Sequence, residues 1–247
     1  MPRSSPSERL ASLAVAAIEV FGRLGYRGTR TADVAAKAGM SAGSLFTYVE
    51  SKEALFHLVF LHALGRLPDA PELPLPTPEP GETVALFARA MRDAPVSRVR
   101  AALAVDEPAD AAEELRGIVE ELYERVERSW PLLAVIERCS VEMPELDAVW
   151  FGEGRGGFLA DLAEYLERRT ASGQLRRMPD SPTAARLIAE LVAWFAWHRR
   201  GGRDAALCDD KTARRTVIEF VCAALVPENA REGEHHTKGS TSHADGH

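Results

Sequence analysis

Cysteine is scarce in this sequence: Cys139, Cys208 and Cys222 are odd in number and far apart. That excludes a disulfide framework and a zinc-ligand spacing, and it points to a reducing cytoplasm. Nowhere do about 18 apolar residues run together, so no membrane span is expected. The first residues, MPRSSPSERLASLAVAA, carry no secretory apolar core before a cleavage site, because Glu8, Arg9 and Ser12 interrupt it. Strict polar–apolar alternation is missing too, which argues against strands. An overall positive charge is also absent. The net charge of −7 excludes a general nucleic-acid coat, but it is unevenly spread. Residues 1–66 hold eight Lys/Arg against five Asp/Glu, and the remainder holds 22 against 32. A mildly basic head on an acidic body confines any polyanion contact to the head.

What the sequence does have is helical periodicity. Hydrophobic residues at 46% and charged residues at 27% suit a globular chain with a sizeable core. Ser5 as N-cap, Pro6 at the first helical position and Glu8 three residues past the cap predict a capped first helix. Leu10, Leu13, Ala17, Phe21 and Leu24 recur on one face, and Gly25 and Gly28 are expected to end it. SKEALFHLVFLHALGRL, with Ser51 as cap, predicts a connecting helix over 51–66. LPDAPELPLPTPEPGE, residues 67–82, holds six prolines and is read as a semi-extended connector. A proline-rich docking ligand is the competing reading. Further helices are predicted near 83–94, 97–105, 110–128, 131–140, 145–151, 157–171, 182–199 and 210–226, with Ser181–Pro182 starting the penultimate one. Residues 228–247 are polar and expected to be disordered, and His235, His236, His243 and His247 within them are read as solvated rather than metal-binding.

The stretch TADVAAKAGMSAGSLFTYVESKEAL, residues 31–55, sets one glycine between two helix-forming runs. Thr31 can cap the first run, and Asp33 suits the positive end of its dipole, with Val34, Ala35 and Ala38 facing inward. Gly39 stands where the chain must turn through a left-handed conformation, which glycine alone adopts without steric cost. Ser41 then caps a second helix, about Ala42 to Val49, and Ala35 must be small because that helix crosses above it. This is the pattern of a helix-turn-helix, whose second helix enters the DNA major groove.

The run LGYRGTRTADVAAKAGMSAGSLFTYVESKEAL, residues 24–55, resembles the TetR family of transcriptional repressors. The matching pattern is Gly–aromatic–x–Gly–Thr, then I/V-A-x-x-A-G-V-S, G-[ST]-[LIF]-Y-x-[HY]-[FV] and SKE-[AE]-L. The resemblance covers residues 5–66 closely and, beyond them, only helix order and length. It implies an all-α fold: an N-terminal helix-turn-helix domain over 1–50, then a C-terminal helical domain for ligand binding and dimerisation over 83–227. Phosphate contacts are implied for Arg30, Thr31, Tyr48 and Lys52, and base-edge contacts for Ala42, Gly43 and Ser44. Ser41 and Thr47 add hydroxyls at the same surface. Phe46 stands where the family has tyrosine, and Val49 where it has phenylalanine. The second helix holds neither Lys nor Arg, so bidentate arginine–guanine contacts cannot come from it. Shape readout and an apolar contact of Ala42 with a thymine methyl are expected instead, helped by Arg27 or Arg30.

For the body, the resemblance implies a homodimer and a small-molecule effector. Leu187, Leu191 and Phe195, with Val217, Phe220 and Val221, form apolar faces on the last two helices and are the expected dimer contacts. Phe87, Met91, Trp130, Trp150, Phe151, Phe158 and Trp194 are the large side chains expected around an apolar or aromatic ligand. Glu137, Arg138, Glu142 and His198 are the polar candidates to orient it. A DNA-binding dimer that needs no inducer is the alternative. Catalysis has little support. GEGRGG at 152–157 follows a helix and lacks a GK[ST] ending, and VEMPELD has no accompanying His or Cys cluster. No metal, cofactor or catalytic residue is expected. The reading as a whole is a cytoplasmic, ligand-responsive repressor of an operator in double-stranded DNA. If Arg30 contacts a phosphate, Arg30→Ala lowers DNA affinity and flattens the log–log salt dependence by about one unit, measured by fluorescence anisotropy across a salt series.

Overall fold

A computed structural model describes residues 5–93, 97–106, 108, 110–201 and 208–228. Among them no strand forms, and the elements are helices: α1 (Pro6–Gly28), α2 (Thr31–Lys37), α3 (Ala42–Leu45), α4 (Lys52–Ala63), α5 (Glu82–Asp93), α6 (Ser97–Leu103), α7 (Ala111–Ser140), α8 (Pro144–Asp147), α9 (Arg155–Ala171), α10 (Ser181–Ala196) and α11 (Asp210–Leu225). A π-helical turn, Ala148–Gly154, joins α8 to α9. The all-α expectation holds. The residues from 229 onward, with the four tail histidines, lie outside the described residues.

Two compact units form. One comprises Met1–Pro95 with Arg128–Gly157, the other Val96–Glu127 with Phe158–His247. The division therefore runs through α7, where separate helices over 110–128 and 131–140 were expected. The helix instead continues past Pro131. Proline has no N–H to offer the carbonyl four residues back, that of Glu127, and the unit boundary falls at that residue.

In the first unit α1 begins as its sequence predicts. The Ser5 hydroxyl accepts from the Glu8 amide at 3.1 Å, and the Glu8 carboxylate accepts from the Ser5 amide at 2.7 Å. Gly25 does not end the helix but kinks it, at φ 76. The Glu142 carboxylate accepts from the Arg27 amide at 2.6 Å beside that kink. Glu142 thus serves the backbone of α1, and a Cβ on Gly25 would come within 2.8 Å of it. Leu10, Leu13, Ala14, Ala17 and Phe21 bury the inner face of α1. They share one core with Val34 and Ala35 of α2, Leu45 of α3, and Leu55, Phe56, Leu58, Val59 and Phe60 of α4. Phe87 of α5 and Val135, Ile136 and Cys139 of α7 complete it. Burial pushes the Cys139 thiol up to about 12, so it is a core side chain and not a nucleophile.

The second unit packs α6, the first part of α7, α9, α10 and α11 around Val99, Leu115, Tyr123, Leu162, Tyr165, Ile188, Val192, Val217 and Val221. Arg169, a fully buried charge, donates to the carbonyls of Ala102, Val105 and Asp106 and to the Glu114 carboxylate at 2.8 Å. It satisfies carbonyls at and just past the end of α6, of which that of Ala102 also accepts from Val105 N–H at 3.2 Å. Periodicity gives no hint of this role. Asp180, one residue earlier than expected, caps α10 by accepting from the Thr183 amide at 2.8 Å. Ser181 and Pro182 become its first turn. One glycine of GEGRGG also finds a structural reason: a Cβ on Gly156 would lie 2.3 Å from the Phe151 carbonyl oxygen, which the wide turn brings inward.

Gly39 has φ 69 and nothing within 4 Å of a hypothetical Cβ. Backbone conformation alone demands glycine there. Gly43 in α3 is equally uncrowded and has no positive φ. Gly39→Ala is expected to lower stability by about 1–2 kcal/mol, and Gly43→Ala to leave it equal or higher, both by urea denaturation.

Candidate nucleic-acid interface

The interface is built on the α2–turn–α3 corner. The α2 helix opens at Thr31 with Arg30 as its cap residue, where Thr31 itself was the expected cap. The Asp33 carboxylate reaches back to the Arg30 amide at 3.2 Å. The turn then closes through Met40 N–H donating to the Ala35 carbonyl at 2.9 Å. Ser41 caps α3 by accepting from the Ser44 amide at 3.1 Å. The α3 helix is shorter than expected. It runs Ala42–Leu45, and Thr47 N–H and Tyr48 N–H then bond three residues back, to Ser44 and Leu45. Such tighter bonding ends a helix within a turn.

Leu45 and Val49 are buried and fix the orientation of this turn. Ser41, Ala42, Gly43, Ser44, Phe46 and Thr47 consequently all lie exposed. The hydroxyls are partly committed. Ser41 Oγ and Ser44 Oγ lie 2.8 Å apart and share one proton, so the pair retains one O–H to donate. Thr47 gives its proton to the Ser44 carbonyl at 2.7 Å and presents lone pairs outward. Phe46, 46% exposed, adds an apolar ring to the same surface.

Around this row stand the cations and the phenol. Arg30 is exposed and Thr31 half-buried. Lys52 Nζ lies 4.7 Å from the centroid of the Tyr26 ring, which holds the ammonium at the surface by a cation–π contact. The Tyr26 hydroxyl donates to Glu53 at 2.9 Å. Tyr48 accepts a hydrogen bond from Arg9 Nη1 at 2.8 Å, which leaves the phenolic proton free to donate to an anion. Arg9 was missed from the sequence. It lies 39 residues from Tyr48, and nothing in the periodicity of α1 distinguishes it from any exposed arginine.

The residues expected around a ligand do not share one environment. Phe87 is fully buried. It stacks edge-on with Phe60 at 5.7 Å and lies 6.4 Å from Trp150, whose indole Nε1 is buried with no hydrogen-bond partner. Met91 Sδ lies 3.5 Å from where a Cβ on Gly154 would sit. Phe151 is exposed and Trp130 half-buried. Phe158 and Trp194 belong to the second unit, and Trp194 is 52% exposed, which removes it from an enclosed pocket. The expected dimer contacts also divide. Leu187 and Phe220 are 60% and 65% exposed, and Leu191 and Phe195 are half-buried. Val217 and Val221 face inward and fill the unit's own core, so they are not surface residues. Of the polar candidates, Glu137 and Arg138 are exposed and His198 stacks on Trp197 at 4.1 Å.

Comparison with known proteins agrees with this geometry. Residues 13–59 match the model of bacterial regulatory proteins of the tetR family. Residues 132–225 match that of the AefR-like transcriptional repressor C-terminal domain. No protein of curated function matches the chain in sequence. Among solved structures, the ketosteroid transcriptional regulator KstR2 of Mycobacterium tuberculosis is 17% identical, with 91% of this chain and 97% of that chain covered and a TM-score of 0.55. AibR, solved with isovaleryl coenzyme A and operator DNA, is 18% identical, with 86% and 97% covered and a TM-score of 0.50. No helix among the described residues is long and apolar enough to cross a membrane. With both its head and its C-terminal half matched, the chain belongs to the tetR family of bacterial transcriptional regulators and is a DNA-binding regulatory protein rather than an enzyme.

Proposed function

We propose that this regulator is a cytoplasmic repressor that binds a palindromic operator as a homodimer and is released by a small apolar or aromatic molecule. The observation that carries the DNA-binding part is the exposed row Ser41–Ser44, Phe46 and Thr47, held outward by buried Leu45 and Val49. Ala42, Gly43 and Ser44 are assigned to base edges. Arg30, Thr31, Tyr48 and Lys52 are assigned to phosphates, with Arg9 joining them through Tyr48. With no cation on α3 itself, affinity comes from the flanking phosphate contacts, and discrimination from hydroxyls, methyl contacts and groove shape.

The dimer is assigned to α10 and α11. Leu187, Leu191 and Trp194 recur at four- and three-residue steps on α10, the spacing of one helix face. With Phe220 on α11 they supply apolar surface that water solvates poorly. Trp194 thereby moves from the ligand pocket to the dimer face. Effector binding is assigned to the Phe87, Met91 and Trp150 cluster. The unpartnered, buried indole N–H of Trp150 supports an effector with one hydrogen-bond acceptor on an otherwise apolar body. AibR, with both an acyl-coenzyme A and operator DNA in its structure, supports the compatibility of such a fold with both partners. The α4 helix joins the two sites, through His57 Nδ1 bonded to Thr83 Oγ1 of α5 at 2.9 Å and through the Phe60–Phe87 contact.

Selection of genomic fragments on the purified protein at near-physiological salt is expected to return a palindromic site, with half-sites spaced by roughly 34–36 Å or a little more. The double variant Tyr48→Ala/Lys52→Ala should lose it. A folded wild-type dimer that enriches no fragment would overturn the reading. Leu187→Asp with Phe220→Asp is expected to give a monomer by sedimentation velocity with helical circular dichroism unchanged. A variant that remains dimeric would move the interface elsewhere.

A further inference from the structure

The segment 67–81 is bonded to the head along its length between α4 and α5. After α4 the chain turns at Gly65, φ 65, and returns along the head. Leu75 then pairs with Val49 in a parallel bridge. Leu75 N–H donates to the Tyr48 carbonyl at 2.8 Å, and Glu50 N–H donates to the Leu75 carbonyl at 3.0 Å. The Leu75 side chain is only 9% exposed and belongs to the same core as Val49 and Leu45.

The proline spacing explains how so short a segment docks. Prolines at 74, 76, 78 and 80 alternate with Leu75, Thr77 and Glu79, so four of these seven residues have no N–H. Each of the three remaining amides is used. Leu75 donates to Tyr48, Thr77 donates to the Glu50 carboxylate at 2.9 Å, and Glu79 donates to Glu82 at the start of α5, also at 2.9 Å. Alternation leaves the Leu75 and Thr77 amides for the head and puts prolines at the positions between and beside them, as at an edge strand that tolerates proline. It also stiffens the unbound segment, so docking loses less conformational entropy. Two side-chain links complete the seam. Ser7 Oγ donates to the Asp69 carbonyl at 2.7 Å. Thr77 Oγ1 donates to Ser51 Oγ at 2.8 Å, the same oxygen that caps α4 by accepting from Ala54 N–H.

We propose that residues 67–81 are a brace of the DNA-reading head, and that Leu75 and Thr77 are positioning residues for Tyr48 and Lys52. The proposal rests on the operator-binding reading above. The brace holds the backbone of Tyr48 from one side while Arg9 holds its hydroxyl from the other. At Ser51 it braces the residue from which Lys52 and α4 start. It also gives α5 a second connection to the end of the recognition turn, in addition to α4. A phosphate contact depends on the charge and reach of a side chain, whereas site-specific affinity depends on registering several groups at once. Loosening the brace therefore acts on discrimination before it acts on general DNA affinity.

The test uses the full chain as Leu75→Ala and Thr77→Val, with Leu162→Ala in the second unit as a control for lost stability. Binding is measured on the selected operator duplex and on a scrambled duplex of the same length, at the same salt, with concentrations corrected for the active fraction. The expected result is a loss of about tenfold or more on the operator for both brace variants. Affinity for the scrambled duplex, and its salt slope, should stay at wild-type values because no phosphate-binding cation has been removed. The control lowers the melting temperature and keeps the operator-to-scrambled ratio. Brace variants that melt earlier but keep that ratio overturn the proposal and leave the regulator reading intact. A wild-type protein that selects no operator overturns both. Hydrogen exchange of the wild type gives a check that needs no DNA: the Leu75 and Thr77 amides should be protected, and rapid exchange at both sinks the brace.

Discussion

Burial of α4 on almost every side is the constraint from which the first unit follows. Ala54, Leu55, Phe56, Leu58, Val59 and Phe60 are all out of water, so this short helix has almost no polar face to turn outward. A helix of that kind must be surrounded. The inner face of α1 covers one side, the α2–α3 corner packs at its start, and Phe87 of α5 closes against Phe60. Aromatic contacts run along it without a gap, from Phe21 and Tyr26 onto Phe56, from Phe56 onto Phe60, and from Phe60 through Phe87 to Trp150. Close-packed rings in fixed edge-to-face geometry transmit a displacement rather than absorb it. The same core that stabilises the head therefore includes Phe87 of α5, with Met91 and Trp150 packed against it.

The reading surface is frugal in charge. Its central turn holds hydroxyls, two residues with little or no side chain and one exposed phenyl ring, and the cations stand at the margins. Lys52 leans on Tyr26, and Arg9 is bonded to Tyr48. Both arrangements reduce the freedom of long side chains before any DNA arrives, which lowers the entropy lost on binding. The acidic body opposes general DNA attraction, so the proposed operator binding places the weight of recognition on the geometry of the head.

Much of this was legible in the residue pattern. The Ser5–Glu8 capping box, the left-handed Gly39 and the inward Val34 and Ala35 follow from spacing and from the conformational range of glycine. Other features were not. Pro131 suggested a break, yet α7 continues, because the packing of Leu132, Val135 and Ile136 outweighs one missing hydrogen bond. The faces of α10 and α11 are apolar over wide arcs, so periodicity could not tell Val217 and Val221, which fill the core, from Phe220, which does not. Proline content marked 67–82 as non-helical, but its pairing with Val49 joins residues 26 positions apart, and no local signal records that.

The sequence alone determined the helices, the turn at Gly39 and the kind of chemistry on the reading surface, because these depend on backbone preference and on contacts within a few residues. Only the tertiary structure decided that Arg9 meets Tyr48, that Arg169 closes the end of α6, that Leu187 and Phe220 stay outside, and that the proline-rich segment is bonded to the head. Each of those depends on which distant surfaces meet when the apolar faces are buried, and burial has no direction of its own until the whole chain supplies one.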